Sequence, residues 1–124
     1  MAQGSTTNAV IAVTGDSSPV IIVAARSGYK IVVMGYVLDS PTQAGGFPDS
    51  LVATVQFADD STSPPTLLSG QIGIRAAAPV VAPFASQTTS DQGGWFFTAS
   101  GANLVLIATG GPVSGHLSYT YMAS

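Results

Sequence analysis

The amino-acid sequence predicts an all-β protein, a single antiparallel β-sandwich of eight or nine short strands. Two observations carry this. Apolar runs rich in Val, Ile and aromatic residues recur at roughly 8–12-residue spacing, separated by clusters of Gly, Pro, Ser and Asp, which is the spacing of sandwiches and barrels. No segment of eleven residues free of Gly and Pro carries a 3.6-residue period with caps, so no helix is expected. The 124 residues fit one domain able to bury a core without staples, read as residues 8–124 behind a flexible N-terminal arm at 1–7.

Asn8 to Thr14 is the first strand candidate, closed by the turn cluster Gly15-Asp16-Ser17-Ser18. After Pro19, Val20 to Ala25 has β-branched residues at both parities, which predicts burial on both faces. Tyr29 to Leu38 repeats that pattern, with Tyr29, Ile31, Val33 and Val37 on one side and Val32, Met34, Tyr36 and Leu38 on the other. Asp39 to Ser50 is a long loop with two prolines and two glycines, and Phe47 is offered at its tip beside Pro48.

Leu51 to Ala58 alternates as a half-buried strand, and Asp59 to Pro65 reads as a solvated turn. Leu68, Gly70, Ile72 and Ile74 alternate with Ser69, Gln71, Gly73 and Arg75, the cleanest period of two in the chain. Pro79 and Pro83 restrict Val80-Val81 to a short edge strand or an extended arm. From Gly93 to Tyr121 three apolar runs separated by Ser-Gly and Gly-Gly-Pro predict a three-stranded meander, with Leu117, Tyr119 and Tyr121 facing one way and His116, Ser118 and Thr120 the other. The expected architecture is jelly-roll-like.

Charge is scarce. Charged residues make up 7% of the chain, against about 25% in an ordinary soluble domain, while 46% of residues are hydrophobic. From Ala76 to Ser124 the only formal charge is Asp91. A monomer with so few charges has too little to solvate its surface, and strands apolar on both faces need a second covering surface. The expectation is an obligate homo-oligomer, with Tyr29, Val32, Met34 and Tyr36 in the interface or core. Trp95, Phe97, Tyr119 and Tyr121 are assigned to the same role, because they sit inside predicted strands rather than exposed loops.

The composition also argues against several chemistries. A net charge of −3 attracts no phosphate backbone, so no nucleic-acid partner is expected. The apolar runs are too short to span a bilayer, and Met1 to Thr7 has no basic or hydrophobic leader region, which points to synthesis in the cytoplasm and no membrane partner. The chain has one histidine, His116, and no cysteine, so a nucleophilic triad would need Ser or Thr with an aspartate from a poor supply; no enzyme activity and no small-molecule substrate are expected. Asp59-Asp60 lacks calcium-loop spacing and Gly93-Gly94 is followed by no phosphate-binding lysine, so no cofactor is expected. Arg26, Lys30 and Arg75 are expected to pair with aspartates or lie at a rim.

The ordered set Ser27-Gly28-Tyr29-Lys30, Val55-Gln56-Phe57, Leu68-Ser69-Gly70-Gln71-Ile72, Ala82-Pro83-Phe84, Gly94-Trp95-Phe96-Phe97-Thr98 and Gly115-His116-Leu117-Ser118-Tyr119 resembles a family of small jelly-roll virion proteins of tailed bacteriophages, of the capsid decoration or cement type. The chain departs from it in the Asp39–Ser50 loop and the Pro64-Pro65 turn. The resemblance implies a homotrimer on a capsid surface, bound to the major capsid protein of a virion. The N-terminal arm and the loop bearing Phe47 and Pro48 are the expected contacts to that partner, because the strands are already committed. The alternative it leaves is a receptor- or glycan-binding jelly-roll module of a tail fibre or spike.

Overall fold

Alternation of period two dominates the chain, and the computed structural model, which describes residues 6–40, 51–76, 78–83 and 94–123, folds it as two antiparallel sheets packed face to face. Ten strands lie among the described residues: β1 (Thr7–Val13), β2 (Val20–Val23), β3 (Tyr29–Asp39), β4 (Leu51–Asp59), β5 (Thr66–Leu67), β6 (Ile72–Arg75), β7 (Val80–Ala82), β8 (Phe96–Phe97), β9 (Leu104–Thr109) and β10 (Val113–Ala123). The first sheet runs β1-β10-β3, and β7 and β8 share the far edge of β3. The second runs β2-β9-β4, and β5 and β6 share the far edge of β4. If each shared edge counts as one position, the first strand pairs with the last, the second with the next to last, and so inward, like a long hairpin rolled up.

That nesting overturns the expected meander. β8 lies on β3, β9 crosses to the second sheet between β2 and β4, and β10 returns to the first between β1 and β3. Alternation fixes which face of a strand is apolar; it does not fix the neighbour.

A bulge corrects the assignment of faces in β3. Val33 stands opposite Tyr119 and Gly35 opposite Ser118, so Met34 is an extra residue and the parity of the strand changes there. Ile31 and Val33 point into the sandwich before it, and Tyr36 and Leu38 after it. Val32 and Met34 therefore face the other way and, with Met122 and Phe97, make a small satellite cluster on the outer side of the first sheet. The main core holds Ile11, Phe57, Ile74, Leu104, Leu106 and Leu117, all at most 1% exposed. Leu68, Ile72 and Ile74 all pack into it, as their alternation predicts.

Two further expectations are corrected. β2 is not buried on both faces: Val23 is buried but Ile21 is 56% exposed. Nor is Asp59 solvated. It is buried, its Oδ1 accepts from the Ser61 N–H and hydroxyl, and its Oδ2 accepts from the Ala99 N–H at 2.9 Å, clasping the end of β4 to the segment after β8. Asp60 beside it is exposed and accepts from Asn103 N and Nδ2, while Asn103 Oδ1 accepts from Ala25 N.

Gly115 lies mid-strand in β10 between Ile11 and Leu38 with φ +148°, and a Cβ there would fall on the Val37 carbonyl oxygen. The first sheet can be continuous at this point only with glycine.

Candidate functional site

The outer face of the first sheet is the place where apolar side chains meet solvent in order. Leu117 and Ile11 face the core, so His116 and Val10 beside them face out; Leu38 and Val80 fix Val37 and Val81 the same way. The pairing aligns these four as one row across all four positions of the sheet: Val10 on β1, His116 on β10, Val37 on β3 and Val81 on β7. Val10 is 80% and Val81 58% exposed, His116 is exposed, and Val37 is half-buried. Small and polar residues flank the row: Asn8, Ser118 and Gly35 on one side, where the Ser118 hydroxyl donates to Asn8 Oδ1 at 2.8 Å, and Ala12, Ser114 and Asp39 on the other.

Between β10 and β7 the row sinks into a shallow groove of about 230 Å³, floored by Gly35, Val37, His116 and Ser118 and walled by Val81 and Pro83. Trp95 stands at its Pro83 end. The Trp95 indole N–H donates to the Pro83 carbonyl at 2.9 Å and its backbone N–H to the Val33 carbonyl at 2.8 Å, yet the residue is 51% exposed. Within one chain, then, Trp95 is not a core residue; Phe96, of the opposite parity, is the ring that turns inward.

A second row crosses the outer face of the other sheet: Ile21, Val105, Ala58 and Leu67 on β2, β9, β4 and β5. Its inner members are buried, while Ile21 and Leu67 at its ends are 56% and 54% exposed.

The remaining expected interface residues fall into three places. Val32, Met34 and Phe97 form the satellite cluster, with Lys30 Nζ 4.3 Å from the Phe97 ring centroid. Tyr36 lies within the sandwich, 5.1 Å from Phe57 and 6.5 Å from Phe96, and desolvation by burial raises its pKa. Tyr29, Tyr119 and Tyr121 gather at the sheet end in edge-to-face pairs, with the Arg26 guanidinium 4.3 Å from the Tyr121 centroid and the Tyr121 hydroxyl donating to the Ala24 carbonyl. Burial and then Tyr121 raise the pKa of Tyr119, against Arg26. Arg26 and Lys30 thus lie over aromatic rings, a contact the sequence did not suggest, and Arg26 is exposed at the sheet end. Phe47 and Pro48 lie outside the described residues.

The row itself was the part that sequence reasoning missed, apart from placing His116 on the face of the last strand opposite Leu117. Its four members come from four strands distant in sequence, and only the register brings them together.

Among the described residues no cluster of three or more His, Asp or Glu could hold a metal ion. Compared with protein-family models, curated proteins and solved structures, the chain finds no match.

Proposed function

We propose that this chain is a structural virion protein, a homotrimeric jelly-roll module that decorates or cements a bacteriophage capsid by binding its major capsid protein, and that it works by surface contact without catalysis. The observation that carries this is the pair of apolar rows on the outer faces of both sheets. A sandwich needs one buried face per sheet; this one also exposes apolar side chains on the second face, Val10 and Val81 on the first sheet and Ile21 and Leu67 at the ends of the second row, with 7% charge to solvate them. Such faces are covered when copies pack together or lie on a larger particle. The nested strand order supports the jelly-roll part of the proposal.

The test is sedimentation together with particle binding. The protein is expected to run as a trimer at micromolar concentration and to co-sediment with capsids in salt, because apolar contact is weakly screened. A folded monomer that ignores capsids rejects the proposal.

One observation favours a second reading. Trp95 is half exposed at the end of a shallow groove, the arrangement expected of an aromatic platform for a sugar ring, which would make the chain a receptor- or glycan-binding module of a fibre or spike. Indole fluorescence separates the two: a blue shift on self-association supports packing, and a shift on adding glycan with no change of mass supports the platform.

A further inference from the structure

Among the described residues every sheet edge but one is guarded. An edge strand exposes unpaired N–H and C=O groups that recruit another strand, and proteins block this with prolines, bulges, charge or very short strands. On one side of this sandwich, β5 has two residues and follows Pro64-Pro65, β6 ends in Arg75, β7 has three residues between Pro79 and Pro83, and β8 has two. On the other side, β2 has four residues, follows Pro19 and is bulged between Ile21 and Val23. β1 has none of these devices. Its seven residues, Thr-Asn-Ala-Val-Ile-Ala-Val, contain no charge and no proline, pair with β10 in unbroken register, and among the described residues have no strand on their other side.

We propose that the free edge of β1 pairs antiparallel with β1 of a second copy of this chain, about a twofold axis at Val10. The backbone chemistry of the edge calls for an extended strand, and the side chains of β1 suit its own copy. Full overlap of two seven-residue edges sets Val10 against Val10, Asn8 against Ala12, and Ala9 against Ile11, so no like charges meet and a small residue faces a large one on the core side. The outer row then continues through the axis from one sheet into the next, and the 80% exposed Val10 becomes its centre. This contact rests on the self-association proposed above. It is isologous and joins copies in pairs, so it is additional to the threefold contact of the proposed trimer and links trimers to one another at concentrations above the micromolar range in which the trimer runs alone.

Single-cysteine variants of the intact chain, which has no cysteine of its own, test the register. Residues directly opposite across antiparallel strands have Cα atoms about 4.5–5.5 Å apart, within disulfide range. Under mild oxidant Val10→Cys should form a covalent dimer, as should an equimolar mixture of Asn8→Cys and Ala12→Cys. Asn8→Cys alone, Ala12→Cys alone, and Thr66→Cys on a guarded edge should remain at least about tenfold less cross-linked. Equal cross-linking at all sites, or none at Val10→Cys, overturns the β1 contact. Sedimentation of the wild-type chain separates the two failures: an oligomer without the Val10→Cys disulfide removes the β1 contact alone, whereas a monomer at tens of micromolar removes the association as well.

Discussion

The outer face of the first sheet has two halves that the same strands build and the chain treats differently. Toward the β8 end, Val32, Met34 and Met122 are apolar, face outward and are at most 2% exposed, packed with Phe97 under the Lys30 ammonium. Toward the β7 end, Val10, Val37 and Val81 are equally apolar and face the same way, yet Val10 and Val81 are open to solvent. The boundary between the halves is the Met34 bulge, beside the break between β7 and β8 on the edge of β3. The chain therefore has a means of covering an outward apolar face from its own sequence, and applies it to one half. The covered half belongs to folding; the open half is the surface on which the proposed association would act.

The largest effects should fall on the covered half. Met34→Ala removes a fully buried side chain from a closed cluster and should cost about 2–5 kcal/mol, measured by denaturant unfolding, with the native oligomeric mass unchanged. Gly94→Ala attacks the same cover from above: the residue has φ +88°, and a Cβ would stand 2.6 Å from Val32 Cγ1 and 2.7 Å from the Val33 carbonyl oxygen. A loss of about 1–3 kcal/mol is expected for a side chain forced into that conformation. If either variant melts like wild type, the cluster is not a second core.

How far the sequence reveals this division follows from what alternation encodes. It identifies strands: β1, β3 and β4 lie within a residue or two of where the pattern places them, and the prolines mark Val80-Val81 as an edge, but β6 begins only at Ile72, four residues into the alternation that starts at Leu68. It also shows that β3 is apolar on both sides. It does not locate the bulge, since an extra residue at Met34 leaves no trace in an unbroken apolar run, and so it assigns Tyr36 and Leu38 to the wrong face. Nor does it find the row of Val10, His116, Val37 and Val81, which exists only once four strands distant in sequence are in register. Asp59 was hidden for a related reason. Its partners Ser61 and Ala99 are set by the turn and by the fold, and a Asp-Asp-Ser run reads as solvated wherever it occurs.

That clasp comes next in size. Asp59→Ala leaves the Ala99 and Ser61 N–H groups without their acceptor and should cost about 1–3 kcal/mol, whereas Asp60→Ala, at an exposed site, should cost less. Equal effects in thermal melts would mean that burial does not separate the two carboxylates. On the open half, Val81→Ser should leave stability within about 0.5 kcal/mol of wild type while raising the dissociation constant of the oligomer about tenfold, the equivalent of about 1.4 kcal/mol of lost apolar contact. Unchanged association would remove this half from the interface.

The smallest effect belongs to the tyrosines on the inner side of the same sheet, and it appears only in alkali. Tyr36, turned inward by the bulge, has its pKa raised from 10.0 by desolvation, and Tyr119 has its raised by desolvation and by Tyr121, with Arg26 opposing. A raised folded-state pKa means that the folded protein holds the phenol proton more tightly than the unfolded chain does. The associated stability is present in full below pH 10 and is lost as pH rises through the folded-state values, because the unfolded chain ionises first. The melting temperature should therefore decline above pH 10, in step with tyrosinate absorbance. Tyr36→Phe removes a group whose pKa burial raises and should flatten this decline. Should the variant leave the decline unchanged, or should the decline begin well below pH 10, Tyr36 does not titrate as a buried phenol.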